Sequence, residues 1–137
     1  MAQQQDMVFG FAGFVMVVVH SAHAPSPKEF NDFIAELAKH DPEKIRLVVY
    51  TKGASLDGLQ RKKMIDTLGG RQCTIAVLSD SAIVRGAVTA LSWFNSKIKA
   101  FAPDRLPDAF QHINASKTEI PLIEYKLREL LVRIDEK

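Results

Sequence analysis

Residues Val15 to Val19 read VMVVV, five apolar positions in a row, four of them β-branched. A strand shows its side chains alternately to two faces, so a run with no polar member has no face to give to water. The chain must therefore build a sheet covered on both sides. Two further apolar runs, Ile45 with Leu47 to Tyr50 and Gln72 to Leu78, are each followed by a cluster of turn-forming residues and then by apolar residues at helical spacing. Strand and helix alternate, and connections of a dozen or more residues imply parallel, right-handed crossovers. With 137 residues, the chain has the length for a single core. The expected class is α/β, with a mixed, mostly parallel sheet of four to five strands.

Ahead of this alternation, Met7 to Ala12 and Phe14 to Val19 form either two antiparallel strands turning at Gly13 or one bent strand. Ser26-Pro27-Lys28-Glu29 is a capping box with proline at the first helical position. It opens a helix that runs to about Lys39, burying Phe30, Phe33, Ile34 and Leu37, and Asp41-Pro42 stops it. The organising strand, Ile45 to Tyr50, leads through the loop Lys52 to Gly58 into a second helix. That helix should turn Leu59, Met64, Ile65 and Leu68 inward and Arg61, Lys62 and Lys63 outward, and close at Gly69-Gly70. Ser79-Asp80-Ser81 supplies cap oxygens for a third helix, Ala82 to Phe94, which is apolar around more than one face and so needs cover beyond its own sheet. Lys97 to Phe101 makes a last strand and Asp104 to Ile113 a short helix. The final helix, from about Ile120 to Glu136, carries Ile123, Leu127, Leu130 and Ile134 as a narrow seam that closes either on the domain's third helix or on a second subunit.

Bulk chemistry excludes several function classes. Eighteen basic and 16 acidic side chains leave a net charge of +2, with both signs scattered, which is no nucleic-acid or membrane-surface footprint. The hydrophobic block Met7 to Val19 is too short for a membrane span, which needs roughly 20 residues. The preceding MAQQQD lacks the basic residues of a secretion signal. One cysteine, Cys73, allows no internal disulfide and fits a reducing, cytoplasmic setting as a buried, inert thiol. His20 and His23 could chelate a metal only with help from Glu29 or Asp32, and no tight ligand set is visible. Gly53 to Gly58 could hold an anion at a helix start, but it has neither the phosphate-loop nor the dinucleotide spacing, and Ser55 or Asp57 as a plain cap accounts for it. The hydroxyls of Ser79 and Ser81 have no base tied to them by any local signature. No catalytic residue, metal or cofactor is expected.

The order of elements resembles a STAS or SpoIIAA-like domain, the fold of anti-sigma-factor antagonists. The resemblance rests on HSAHAPSPKEF, on IRLVVYT with its loop and helix, and on GGRQCTIAVLSDSAIVRGAVTALSWFNSKIKAFAPDRLPDAF. Gly69-Gly70 before a strand, the polar turn Ser79 to Ser81, and KIKAF leading into a helix near Pro107 are its particular echoes. It covers roughly Met7 to Ile113, giving a domain over 1–113 and a linker with an extra amphipathic helix over 114–137. The resemblance implies a non-enzymatic regulatory module that binds a protein partner, such as a kinase or an anti-sigma-like regulator. Serine phosphorylation at the start of the second helix would be its switch. Where such antagonists carry Asp-Ser-Ser-Gly, this chain reads Ser55-Leu56-Asp57-Gly58, so the serine pair is missing and Ser55 is the one hydroxyl in its place. The expected regulatory loop comprises Lys52, Gly53, Ser55, Asp57 and Gly58. The expected interface, most simply that of a homodimer, comprises Val84, Arg85, Trp93, Phe94, Leu127, Leu130 and Ile134. The alternative reading is a small-ligand or lipid-binding protein with an apolar pocket between the sheet and the outer helices.

Overall fold

A computed structural model describes residues 5–135. The strands β1 (Met7–Ala12), β2 (Val15–His20), β3 (Arg46–Thr51), β4 (Thr74–Leu78) and β5 (Ile98–Phe101) form one five-stranded sheet in the order β1-β2-β3-β4-β5. The first pair is an antiparallel hairpin and all later pairs are parallel. The hairpin turns at Gly13, whose φ of 59° suits a residue without a Cβ, and places Phe14 in the turn, outside β2.

Five α-helices accompany the sheet: α1 (Pro27–Leu37), α2 (Gly58–Leu68), α3 (Ala82–Ser92), α4 (Leu106–His112) and α5 (Glu119–Asp135), with a 3-10 turn at Pro103–Arg105 before α4. Both capping signals operate as read. Ser26 accepts from the Glu29 N–H while Glu29 returns to Ser26, and Ser81 accepts from Val84 N–H at 3.3 Å. At α2 the cap is Asp57, in a reciprocal box with Gln60, and left-handed Gly69 ends the helix.

Strand order equals chain order from β2 to β5, so every crossover steps the same way across the sheet. Crossovers of one hand stepping one way lay their helices on one face. Accordingly Met16, Val18, Leu47, Val49, Ile75 and Val77 meet α1, α2 and α3 in one core, around Phe30, Phe33, Leu37, Met64, Leu68, Val84 and Val88. The opposite face, Val8, Ala12, Val15, Val17, Val19, Val48, Ala76 and Leu78, would be bare without α4 and α5, which cover it with Ala109, Phe110, Ile123, Leu127, Leu130 and Ile134.

This placement corrects part of the expected interface. Leu127, Leu130 and Ile134 are buried against the chain's own sheet, with α5 lying across β1 and β2 and away from α3. Gly10 of β1 admits the approach, since a Cβ there would come within 3.2 Å of the Lys126 stem. Val84 likewise belongs to the inner core. The bare outer face must be covered, and a helix tethered to the same chain does so without the entropic cost of association. Over residues 119–135, α5 thus packs on the sheet that the preceding strands build, and the salt bridge from Arg46 to Glu119 fastens its start to β3. The expected helix end at Glu136, like residues 1–4, lies outside the described residues.

Candidate functional site

Alternation along β2 and β3 sends Met16, Val18 and His20, and Leu47, Val49 and Thr51, to the face under α1 to α3. His20 and Thr51 are register partners at the carboxyl ends of their strands, and both are buried. Because the strand order never reverses, this sheet edge has no crevice between helices of opposite faces, the usual ligand position in open α/β sheets. The loop after β3 instead folds down over the edge. Lys52 N–H donates to His20 O at 3.1 Å, Ala54 N–H to Ser21 O at 3.2 Å, and Thr51 Oγ1 donates to Ala54 O at 2.7 Å while accepting from Gly53 N–H. Gly53 sits at φ 141°, which a side chain at this position would strain.

The expected loop residues divide. Lys52 is drawn to Asp135 at the end of α5 in a salt bridge. Asp57 uses its carboxylate on the Gln60 N–H, so the start of α2 is already satisfied by an acid and is no anion cradle. Gly58 opens the helix. Ser55 is half-buried and turned toward the interior. Arg61, read as part of a solvated cationic face with Lys62 and Lys63, folds back so that its guanidinium donates to Leu56 O at 2.6 Å, and only the two lysines remain on the surface.

Beneath this loop lies a cavity of about 90 Å³ between α2, α3 and the sheet. Its walls are almost wholly apolar, with Val49 and Val77 on the floor, Met64 from α2, and Ala87 and Leu91 from α3; His20, Thr51, Ser55 and Arg61 stand at the upper end. A second space of about 80 Å³ continues along the same helix boundary and shares Met64, Ile75, Leu91 and Ile98. The inner side of α3 is built of short residues, Val84, Ala87 and Val88, which leave α2 and α3 incompletely joined.

His20 is the outlier of this region. Burial pulls its pKa down to about 4, against the opposing pull of the Glu29 carboxylate, so the imidazole is neutral at physiological pH. Its Nδ1 is buried and has no hydrogen-bond partner among the described residues. Buried polar atoms are nearly always paired, so an orphan at a cavity wall calls for an explanation. Glu29 is not that partner: it accepts from Asp6, Met7 and Ser26 N–H at 2.9, 3.2 and 2.9 Å. Burial alone would raise its pKa, and these bonds together outweigh burial and lower it. No hydrogen bond joins His20 to Ser55, so base and hydroxyl are not paired.

The second notable surface is the outer side of α3. Ala82, Ile83, Arg85, Gly86, Thr89, Ala90, Trp93 and Phe94 are all exposed, and Arg85 is the one charge among them. Trp93 is 84% exposed, Ile83 74% and Phe94 57%. Ile83, Gly86 and Ala90 recur at helical spacing on this side, while Trp93 and Phe94 follow in the turn that ends the helix, where Phe94 also borders the second space beside Leu91. Leu59, expected inside, is exposed at the start of α2, and Gln60 takes the inward position with its side chain directed to Pro25 O. The capping box decides this: fixing Asp57 as the cap rotates Gln60, at N3, over the sheet edge.

Other sequence candidates resolve into structural roles. Ser79 Oγ accepts from Ser81 N–H at 3.1 Å, and Ser81 caps α3. Cys73 is fully buried, and burial pushes its thiol pKa up to about 12. His20 is buried while His23 is exposed, and no group of three or more metal-ligating side chains assembles among the described residues. No helix among these residues is long and apolar enough to cross a membrane. Sequence reasoning missed two residues: His20 as a cavity group and Asn95. Buried Asn95 accepts from Cys73 N–H at 3.0 Å and donates to Cys73 O at 2.7 Å, so that it extends the ladder of β4. The period-2 register of β2, continued through Val19, signals that His20 faces inward; no local pattern signals Asn95.

Comparison with family models, with curated proteins and with solved structures finds no match to this chain.

Proposed function

We propose that this protein is a non-enzymatic regulatory domain of the STAS-like type that acts by binding another protein, through the outer side of α3 and the adjoining loop Lys52 to Gly58. The observation that carries the reading is the exposed surface of α3. A helix that has already buried one side in its own core keeps Ile83 in water, and the turn that ends it keeps Trp93 and Phe94 there as well. Exposed aromatic residues beside a lone arginine are the usual composition of an interface anchor. The five-stranded, mostly parallel sheet is consistent with the family resemblance, and the partner classes it suggests are a kinase or an anti-sigma-like regulator. The simplest partner is a second copy, giving a homodimer.

Affinity capture from the native host with wild type, Trp93→Ser/Phe94→Ser and Ser55→Asp tests it, alongside light scattering of the purified protein. The double variant should lose the captured partner or the dimer while retaining its fold. A strict monomer whose capture profile is unchanged by the double variant overturns the reading. Identical profiles for wild type and Ser55→Asp would dismiss a phosphoserine switch in the loop.

A second reading, a small-ligand-binding protein, is favoured by one observation, the apolar cavity beneath the loop. Its volume is well below the roughly 300–1,000 Å³ of pockets for drug-sized ligands, which argues for a small occupant over a diacyl lipid.

A further inference from the structure

We propose that the open edge of β5 docks an extended acidic segment of a partner protein, which adds to the sheet as a further strand and carries aspartate or glutamate at alternate positions. The site does not depend on the outer side of α3.

The ladder between β4 and β5 shows which backbone groups are free. Lys97 O accepts from Ile75 N–H at 3.1 Å and Phe101 O from Ser79 N–H at 2.9 Å. Odd-numbered residues thus turn their peptide groups toward β4, and Ile98, Ala100 and Ala102 turn theirs outward. Asn95 O takes up the Ile98 N–H. Ile98 O, Ala100 N–H and O, and Ala102 N–H have no partner among the described residues. Such a row is what an added strand pairs with.

The side chains around the edge select the occupant by charge. Phe101 packs with the core of the outer sheet face, so Lys97 and Lys99, two and four residues before it, project on that face and are exposed. Lys99 stands over the Phe101 ring at 5.5 Å. On the other face α3 packs over β5; its Ala87 and Leu91 border α2, so Arg85 falls on the opposite flank, toward the free edge. Lys97, Lys99 and Arg85 have no acidic partner among the described residues. Of the acids nearby, Asp108 is held by Arg105, and Asp104 lies in the turn beyond the strand. An open groove of about 580 Å³ beside Lys99 and Phe101 leaves room for acidic side chains. A second copy is a poor occupant. Antiparallel pairing through Ile98 and Ala100 would set Lys99 of one chain opposite or diagonal to Lys97 or Lys99 of the other, and like charges so placed oppose pairing. The same lysines favour a strand whose acids face them.

Capped peptides of about six residues test this, one alternating glutamate with valine and one alternating glutamine with valine. Titrated into the ¹⁵N-labelled full chain at low salt, the glutamate peptide should bind saturably, about fivefold or more tighter than the glutamine peptide, and should move the Ala100 and Ala102 amides downfield. High salt should erase that advantage. N-methylation of the valines or of the glutamates, whichever set turns its N–H toward β5, should abolish binding. Lys97→Glu/Lys99→Glu should reject the glutamate peptide and accept one alternating lysine with valine, a gain that an unfolded variant cannot show. Trp93→Ser/Phe94→Ser should bind the glutamate peptide like wild type, which separates this edge from the α3 surface. Absence of saturable binding, equal affinity for the glutamate and glutamine peptides, or binding that survives both N-methylations overturns the inference and leaves the α3 reading standing.

Discussion

His20 makes a pH-dependent contribution whose sign follows from burial. Its pKa is about 4 in the folded chain against an ordinary 6.5, so the unfolded state binds the proton first as pH falls. Stability present above pH 6.5 is lost as pH drops from there toward 4, on the order of 3 kcal/mol in all. Urea denaturation between pH 7 and 4 should show this loss in wild type and a flatter profile in His20→Phe. Glu119 titrates in a lower window. The Arg46 guanidinium, with help from Ser116, holds its carboxyl at about 2 against an ordinary 4.5. Its contribution is complete above pH 4.5 and disappears as pH falls through about 2. Glu119→Gln should cost about 1–2 kcal/mol at pH 7, the scale of a charge-assisted hydrogen bond, and close to nothing at pH 2. Neither effect is visible in the sequence, because a histidine at a strand end and a glutamate at a helix start become unusual only through what the fold places around them.

The helices α3 and α5 show how far a one-dimensional pattern reaches. Ile123, Leu127, Leu130 and Ile134 announce a buried seam at spacings of four and three, and all four are buried. The pattern states that the seam is covered, and it carries no information about which surface covers it. Leu130→Ala should cost about 2–5 kcal/mol, measurable by chemical denaturation of the purified domain, because the leucine is 1% exposed against the outer sheet face. The two-sided character of α3 is equally plain in AIVRGAVTALSWF, and the structure splits it: Val84 and Val88 go inward, Ile83, Trp93 and Phe94 outward. Trp93→Ser should therefore change stability by no more than about 0.5 kcal/mol. The same indole should emit as a hydrated chromophore in the dilute monomer and shift to the blue on association, which fluorescence against concentration would reveal.

Taken together, β1 to β5, the one-sided set of α1 to α3, and the pair α4 and α5 make a three-layered unit whose outer layer comes from its last quarter. Removing residues 116–137 strips α5 from β1 and β2 and bares Val8, Val15, Val17 and Val19. That truncation should not fold cooperatively, and dye binding with loss of near-UV dichroism would show it. A truncated chain that melts as sharply as the full one would make α5 an accessory. The strand runs, the cap at Ser26, a cap within Ser79 to Ser81 and a break at Gly13 follow from the sequence alone, because period, propensity and capping act over a few neighbouring residues; the pairing of β1 with β2 decides that the break is a hairpin and not a bend in one strand. Two features were decided only by the tertiary structure: the docking of α5 on the sheet's outer face and the gathering of an apolar cavity near the buried His20. Each depends on which surfaces meet, and contacts between segments far apart in the chain leave no trace in local periodicity.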